Sequence, residues 1–325
     1  MKREREDKTV TNAGIEKVFV VGAGTMGHGM AQAFAQGGYR VSLFSRSQET
    51  LDRASVLIKT SLDTLAEGEL LERSQIPTIL SRITLTRSLE QGARDADIAL
   101  ETVVEDAGAK REIFAQLDRY CPPRALLASN TTFLNIFDIV ETSRPDKVLL
   151  CHWYTPPQII PLVDVVKGPQ TDGASVELLV RILRELGKRP VVFKKYLSGY
   201  AVSRIQIALN REMHFLLDND YLSPQELDEA AKWGLALRMM VVGIVQRVDF
   251  GGLDLSVRYL EKPAIQPTPL DYKPRKLFEL VRQGHVGVKS GRGFYDYKGR
   301  TEAEVCKERD IKLIRMLKAL KMIEG

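Results

Sequence analysis

Three glycines, Gly22, Gly24 and Gly27, follow the short apolar run Lys17–Val21 and stand at the mouth of a helical segment over 25–36 that Gly37 and Gly38 close. Strand, G-x-G-x-x-G and helix in that order leave few folds open. The first glycine permits a tight turn, the second lets backbone approach a pyrophosphate, and the third lets helix and strand pack closely. Unpaired N–H groups at the helix start then face an anion. Gly22, Gly24 and Gly27, with Thr25 and Met26 between them, therefore read as a dinucleotide site opening a βαβ unit.

The rest of the first half keeps that rhythm. Arg40–Phe44 reads as the next strand, followed by a long helical pattern from Gln48 to Ala66 with apolar Leu51, Ala54, Val56, Leu57, Ile58, Leu62 and Leu65. Further apolar runs at 97–100, 125–128, 147–150, 162–166 and 191–193 alternate with helical stretches, which predicts a mostly parallel sheet with helices on both faces. Past Tyr196 strands cease, and Ala201, Ile205, Ala208, Leu209, Met213 and Leu216 recur at helical spacing. The expectation is α/β: a charged tail at 1–14, a Rossmann domain at 15–195, an all-α domain at 196–297 and a helical extension at 298–325. Within the second domain Ser223, Pro224 and Glu226 form a helix start, with Gly234 as the expected stop. Pro263, Pro267, Pro269 and Pro274 mark a connection.

Composition excludes more than it selects. With 44% apolar and 27% charged residues the chain is globular, and no apolar run approaches the roughly 20 residues that span a bilayer. Met1–Lys8 is almost all charged, so export is not expected, and a small helix-borne excess of basic residues near the end reads as a packing face rather than a membrane surface. Cys121, Cys151 and Cys306 lack any paired spacing, which suggests neither disulfides nor a metal and fits a reducing cytoplasm. The net charge of +5 is dispersed, so anionic small molecules are better partners than nucleic acid.

At the end of the second strand, where an acid usually meets the ribose 2′-hydroxyl of NAD, stand Ser45, Arg46 and Ser47. A guanidinium between hydroxyls suits a 2′-phosphate. NADP(H) is therefore expected to bind better than NAD(H).

Beyond the glycine loop the chain resembles the 3-hydroxyacyl-CoA dehydrogenases and their relatives acting on other hydroxy acids. The likeness runs through Val20-Val-Gly-Ala-Gly-Thr-Met-Gly27, Glu101-Thr-Val-Val-Glu-Asp106, Ala128-Ser-Asn-Thr-Thr132 and His152-Trp-Tyr-Thr-Pro-Pro157, and continues in Pro161-Leu-Val-Asp-Val-Val166, Gly251-Gly-Leu-Asp254 and Lys289-Ser-Gly-Arg-Gly-Phe-Tyr295. It implies that His152 exchanges the proton of the substrate oxygen, a task suited to a group titrating near neutrality. It further implies that Asp164 orients and charges that ring, that Ser129 bonds the substrate oxygen with Asn130 beside it, and that Glu105 and Lys110 lie near the nicotinamide ribose. By the same resemblance Lys289 reaches the cofactor from the second domain, Ser61 meets a coenzyme A moiety, and the helical domain forms a homodimer.

Three positions depart from the family. Asp164 replaces a glutamate and loses one methylene of reach; Thr155, at a cofactor-side position, and Ser203, at the substrate, replace asparagines. A hydroxyl has one donor where an amide has two, so reaction type is expected to survive better than substrate identity. The leading reading is hydride transfer between a nicotinamide cofactor and a 3-hydroxyacyl-CoA or related 3-hydroxy acid. The alternatives are a dehydrogenase of a free hydroxy acid of sugar-acid or carnitine-like type, and a dinucleotide-binding protein without catalysis.

Overall fold

The computed structural model describes residues 14–262 and 265–324; most of the charged N-terminal stretch, and Pro263, lie outside them. The chain divides into two units, one ending at Tyr200 and the other opening at Ala201.

The first unit is built on an eight-stranded sheet of β1 (Lys17–Val21), β2 (Arg40–Phe44), β3 (Ile83–Thr86), β4 (Ile98–Glu101), β5 (Leu126–Ser129), β6 (Val148–Trp153), β7 (Leu162–Lys167) and β8 (Arg189–Phe193). Their order is β3-β2-β1-β4-β5-β6-β7-β8. Chain order reverses between β1 and β4, the kind of switch point where such sheets bind ligands beyond the carboxyl ends of their strands. All neighbours are parallel except β6 and β7. Strand β3 is absent from the apolar reading: at the sheet edge its Leu85 is exposed, and its residues lack the unbroken apolar run of a central strand.

Strand alternation divides the core. Val18 and Val20 face a layer holding Phe34, Leu51, Ile58, Leu62 and Leu183, while Phe19 and Val21 face Phe114, Leu117, Ile136 and Leu150. The helices Gly27–Gln36, Gln48–Glu67 and Gly173–Glu185 cover the first face, and Ala107–Tyr120 covers the second.

In the second unit the described elements are helical: Pro224–Ala230, Leu237–Val242, Gln246–Gly251, Leu253–Glu261, Arg275–Arg282 and Glu302–Glu324, after the long helix Tyr200–Asp218 that enters it. Ser223 and Glu226 form the reciprocal cap expected of them. Gly234 does not stop that helix. The helix continues through a wider π turn, Ala231–Ala236, and is capped at Gly243, which adopts φ +74°. Among the described residues no helix is long and apolar enough to cross a membrane, and no group of three or more His, Cys, Asp or Glu is placed to hold a metal.

Candidate active site

The glycine loop has the geometry its spacing implies. Gly22 sits at φ +113°, and a Cβ there would lie 2.7 Å from the Thr102 carbonyl oxygen. A Cβ on Gly27 would fall 1.7 Å from the Gly22 oxygen, whereas Gly24 has nothing within 4 Å. Turn and helix are thus pressed together while the middle glycine leaves open space. The Gly27–Gln36 helix starts at Met26 with no side-chain cap, so no side chain occupies its first turn as an acceptor. These residues fit a dinucleotide pyrophosphate.

On the face of the sheet carrying Phe114, four strands bring a polar row to one end. Glu101 is the register partner of Ser129, and Ser129 of Leu150, two residues before His152. His152 in turn lies directly opposite Asp164 in the antiparallel β6–β7 pair. Facing residues of such a pair hold their side chains on the same side of the sheet. The imidazole and the carboxylate therefore meet as cross-strand neighbours, with His152 Nδ1 3.7 Å from Asp164 Oδ2.

Both groups are nearly buried, at 5% and 2% exposure. Nδ1 makes no hydrogen bond, while Asp164 Oδ2 accepts one from the Tyr154 hydroxyl at 2.6 Å. The other ring nitrogen, Nε2, lies 3.1 Å from the Thr132 hydroxyl. Tyr154 sets its ring edge against the imidazole at 4.7 Å between centroids, and Tyr200 lies tilted over it at 4.6 Å.

Tyr200 holds φ +49°, a left-handed conformation that costs an aromatic residue and needs its surroundings to impose it. Those surroundings are visible. Its hydroxyl donates to the Thr131 carbonyl at 2.7 Å, and the preceding Gly199 N–H donates to the Thr132 carbonyl at 3.0 Å. Burial drives the phenol far above its ordinary range, so it stays a donor.

Beneath this lies a second polar group. Glu101 accepts from Ser129 Oγ at 2.6 Å and from Lys110 Nζ at 2.9 and 3.1 Å. Glu105 lies 3.5 Å from Lys110 Nζ and accepts from the Thr131 hydroxyl at 2.5 Å and from the N–H groups of Thr132 and Phe133 at 3.0 and 2.8 Å. Burial alone would lift the Glu105 carboxyl, but those donors and the Lys110 charge outweigh it and hold it below the usual carboxylate range. Glu105 thereby fixes the turn on which Thr132 stands.

Three of the expected site residues are engaged by neighbours within the protein. Ser129 is wholly buried with its hydroxyl committed to Glu101, so the hydroxyl presented to the imidazole belongs to Thr132. Lys110 is wholly buried in ion pairs with Glu101 and Glu105. Asn130 accepts the Trp153 N–H on its Oδ1 at 2.7 Å, bracing β6.

Thr155 is brought to the glycine loop, its hydroxyl donating to Met26 Sδ at 3.1 Å. Arg46 and Ser47 are exposed and Ser45 part-exposed beyond β2. Ser47 also caps the Gln48–Glu67 helix, on which Ser61 is part-exposed. Ser203 and Lys289 belong to the second unit.

Family models match both units: 3-hydroxyacyl-CoA dehydrogenase, NAD binding domain, over residues 17–196, and 3-hydroxyacyl-CoA dehydrogenase, C-terminal domain, over 199–297. A probable 3-hydroxybutyryl-CoA dehydrogenase of Bacillus subtilis is 32% identical over 289 residues, 88% of this chain and 99% of its own. The 5-formyl-3-hydroxy-2-methylpyridine 4-carboxylate 5-dehydrogenase of Mesorhizobium japonicum is 27% identical over 310 residues, 94% of this chain and 98% of its own. A crystal structure of an enzyme with that activity, described as an NAD+ dependent dismutase, superposes with a TM-score of 0.85 at 26% identity, covering 94% and 99% of the two chains. With a dinucleotide loop and a paired histidine and carboxylate already in place, these matches show that the chain belongs to the 3-hydroxyacyl-CoA dehydrogenase family, NAD-binding oxidoreductases acting on CH–OH groups.

Proposed function

We propose that this enzyme interconverts a 3-hydroxyacyl-CoA, or a related 3-hydroxy acid, and its 3-oxo counterpart, with His152 as the group that exchanges the hydroxyl proton. The observation that carries this is the His152–Asp164 register pair with a hydroxyl on Nε2. In oxidation, the Thr132 hydroxyl and His152 Nε2 hold the substrate oxygen, and Nε2 takes its proton. Asp164 stabilises the imidazolium that forms. The bound nicotinamide supplies the hydride acceptor. In His152→Ala, substrate-dependent change in the near-ultraviolet absorbance of reduced nicotinamide should be lost while cofactor affinity persists; turnover at the wild-type rate would assign the proton chemistry elsewhere.

A free acid or aldehyde substrate without coenzyme A is the second reading. It draws on the longer match to the pyridine carboxylate dehydrogenase and on Thr155 and Ser203 as hydroxyl-bearing residues. Comparing 3-hydroxybutyryl-CoA with free 3-hydroxybutyrate and an aromatic aldehyde acid separates the two.

Within the same reading NADP(H) is preferred. Arg46 and Ser45 stand at the end of β2, and Arg87 Nε donates to the Arg46 carbonyl at 3.3 Å, adding a second guanidinium there. Arg46→Asp should then reverse the ratio of NADPH to NADH affinities, and tighter binding of NADH by the wild type would remove this part. The enzyme acts as a homodimer through its helical unit, where Trp233, Phe250 and Leu260 are 70%, 76% and 83% exposed, a load of apolar surface that a second copy would cover. Light scattering during gel filtration tests that. Its three cysteines are free thiols, in keeping with a reducing cytoplasm.

A further inference from the structure

We propose that Tyr154 is a positioning residue for catalysis, the third member of a Tyr154–Asp164–His152 group, whose hydroxyl holds the buried Asp164 carboxylate aimed for the moment His152 becomes charged. This rests on the reading of His152 as the proton acceptor. Tyr154 gives up no proton in the reaction.

Asp164 is 2% exposed, and a carboxylate taken that far out of water needs donors in place of solvent. The donor at Oδ2 is the Tyr154 hydroxyl at 2.6 Å, a short charge-assisted bond. The same oxygen stands 3.7 Å from His152 Nδ1, near enough for attraction but beyond a hydrogen bond. Nδ1 correspondingly lacks a partner. One carboxylate oxygen thus serves two donors in turn. With the imidazole neutral it is held by tyrosine; when Nε2 takes the substrate proton, the positive ring draws the carboxylate toward Nδ1–H. The tyrosine bond keeps that oxygen between the two rings until then, and the edge-on packing of Tyr154 on the imidazole at 82° fixes both in one frame. Asp164 is one methylene shorter than glutamate and leaves a gap to Nδ1 that this arrangement spans.

The experiment is a double-mutant cycle on the full-length enzyme with Tyr154→Phe, Asp164→Asn and the pair, read as kcat, KM and cofactor Kd. Tyr154→Phe should lower kcat about tenfold, the size of one lost hydrogen bond to a charged group, with KM and cofactor Kd within about twofold. In the Asp164→Asn background the same change should alter kcat by less than about twofold, since residues acting as one unit are not additive. Equal losses in both backgrounds, or wild-type kcat in Tyr154→Phe, would overturn the proposal. An inactive His152→Ala accompanied by either of those results leaves the proton chemistry standing and removes only the role of Tyr154. Should Asp164→Asn fold poorly by its melting curve, Asp164→Glu replaces it: the longer acid reaches Nδ1 unaided, so added Tyr154→Phe should again cost less than about twofold.

Discussion

The Thr132 hydroxyl lies 3.1 Å from His152 Nε2, on a turn pinned from below by Glu105 and from the side by Gly199. A substrate oxygen bound here is held between a hydroxyl and an imidazole whose positions are both set before it arrives. Removing one such preorganised donor commonly lowers turnover by about a hundredfold. Thr132→Val should show a loss of that order in kcat at unchanged cofactor affinity, and Thr132→Ser should stay within about threefold of wild type. Full activity in Thr132→Val would move the substrate oxygen away from this hydroxyl.

Ser129 makes the opposite forecast. Its hydroxyl donates to Glu101, a carboxylate that is 0% exposed and also bound by Lys110. Ser129→Ala should therefore cost about 2 kcal/mol of stability while leaving kcat within about twofold. Lys110→Met should cost more, about 3–5 kcal/mol, because it strands a buried charge. Urea unfolding beside steady-state kinetics checks both, and a large fall in kcat for a stably folded Ser129→Ala would return this residue to the chemistry.

The contrast between Thr132 and Ser129 marks how far the sequence is legible. Period-two and helical spacing locate the glycine loop, seven of the eight strands and the change to helices after Tyr196, because each depends on local apolar pattern. His152 and Asp164 are legible too, one at a strand end and one on the next run, yet their pairing follows from β6 and β7 being antiparallel, which no local pattern announces. In Ser129-Asn-Thr-Thr132 three hydroxyls compete. The strand ends at Ser129, so alternation buries that residue beside its neighbour Glu101; past the strand end Thr131 is buried on Glu105, and the Thr132 hydroxyl stands at the edge where ligands bind. That signal for Thr132 is in the sequence once the strand end is known. The fates of Lys110 and Gly234 are not, since burial in an ion pair and a π turn both depend on tertiary surroundings.

Two glycines of the loop separate packing from ligand approach. A methyl on Gly27 would meet the Gly22 oxygen at 1.7 Å, so Gly27→Ala must shift backbone, and should lower both the melting temperature and cofactor affinity. Gly24 has open space around a built Cβ. Gly24→Ala should melt with the wild type yet bind the dinucleotide roughly tenfold more weakly, the added methyl costing about 1.4 kcal/mol at the phosphates. Unchanged cofactor titrations in Gly24→Ala would place the pyrophosphate elsewhere.

Lys188 supplies a pH signature. Its Nζ donates to the carbonyls of Pro157 and Ile160 at 2.5 and 3.0 Å and lies 4.9 Å from the Trp153 ring centroid, bracing the loop between β6 and β7. Burial lowers the ammonium to about 8 from its ordinary 10.5. Between those two values the unfolded chain carries the proton and the folded chain does not, so stability rises with pH across that window. Below about 8 both states are charged, and the folded state bears the full cost of burying the ammonium. At 1.36 kcal/mol per unit the difference is about 3 kcal/mol. Lys188→Met loses the two carbonyl contacts but also this dependence. The stability of wild type relative to Lys188→Met, from urea unfolding, should therefore climb by up to about 3 kcal/mol between pH 7.5 and 10.5. A flat difference over that range would mean that the ammonium is solvated, and that the loop carrying Thr155 is braced by something other than a buried cation.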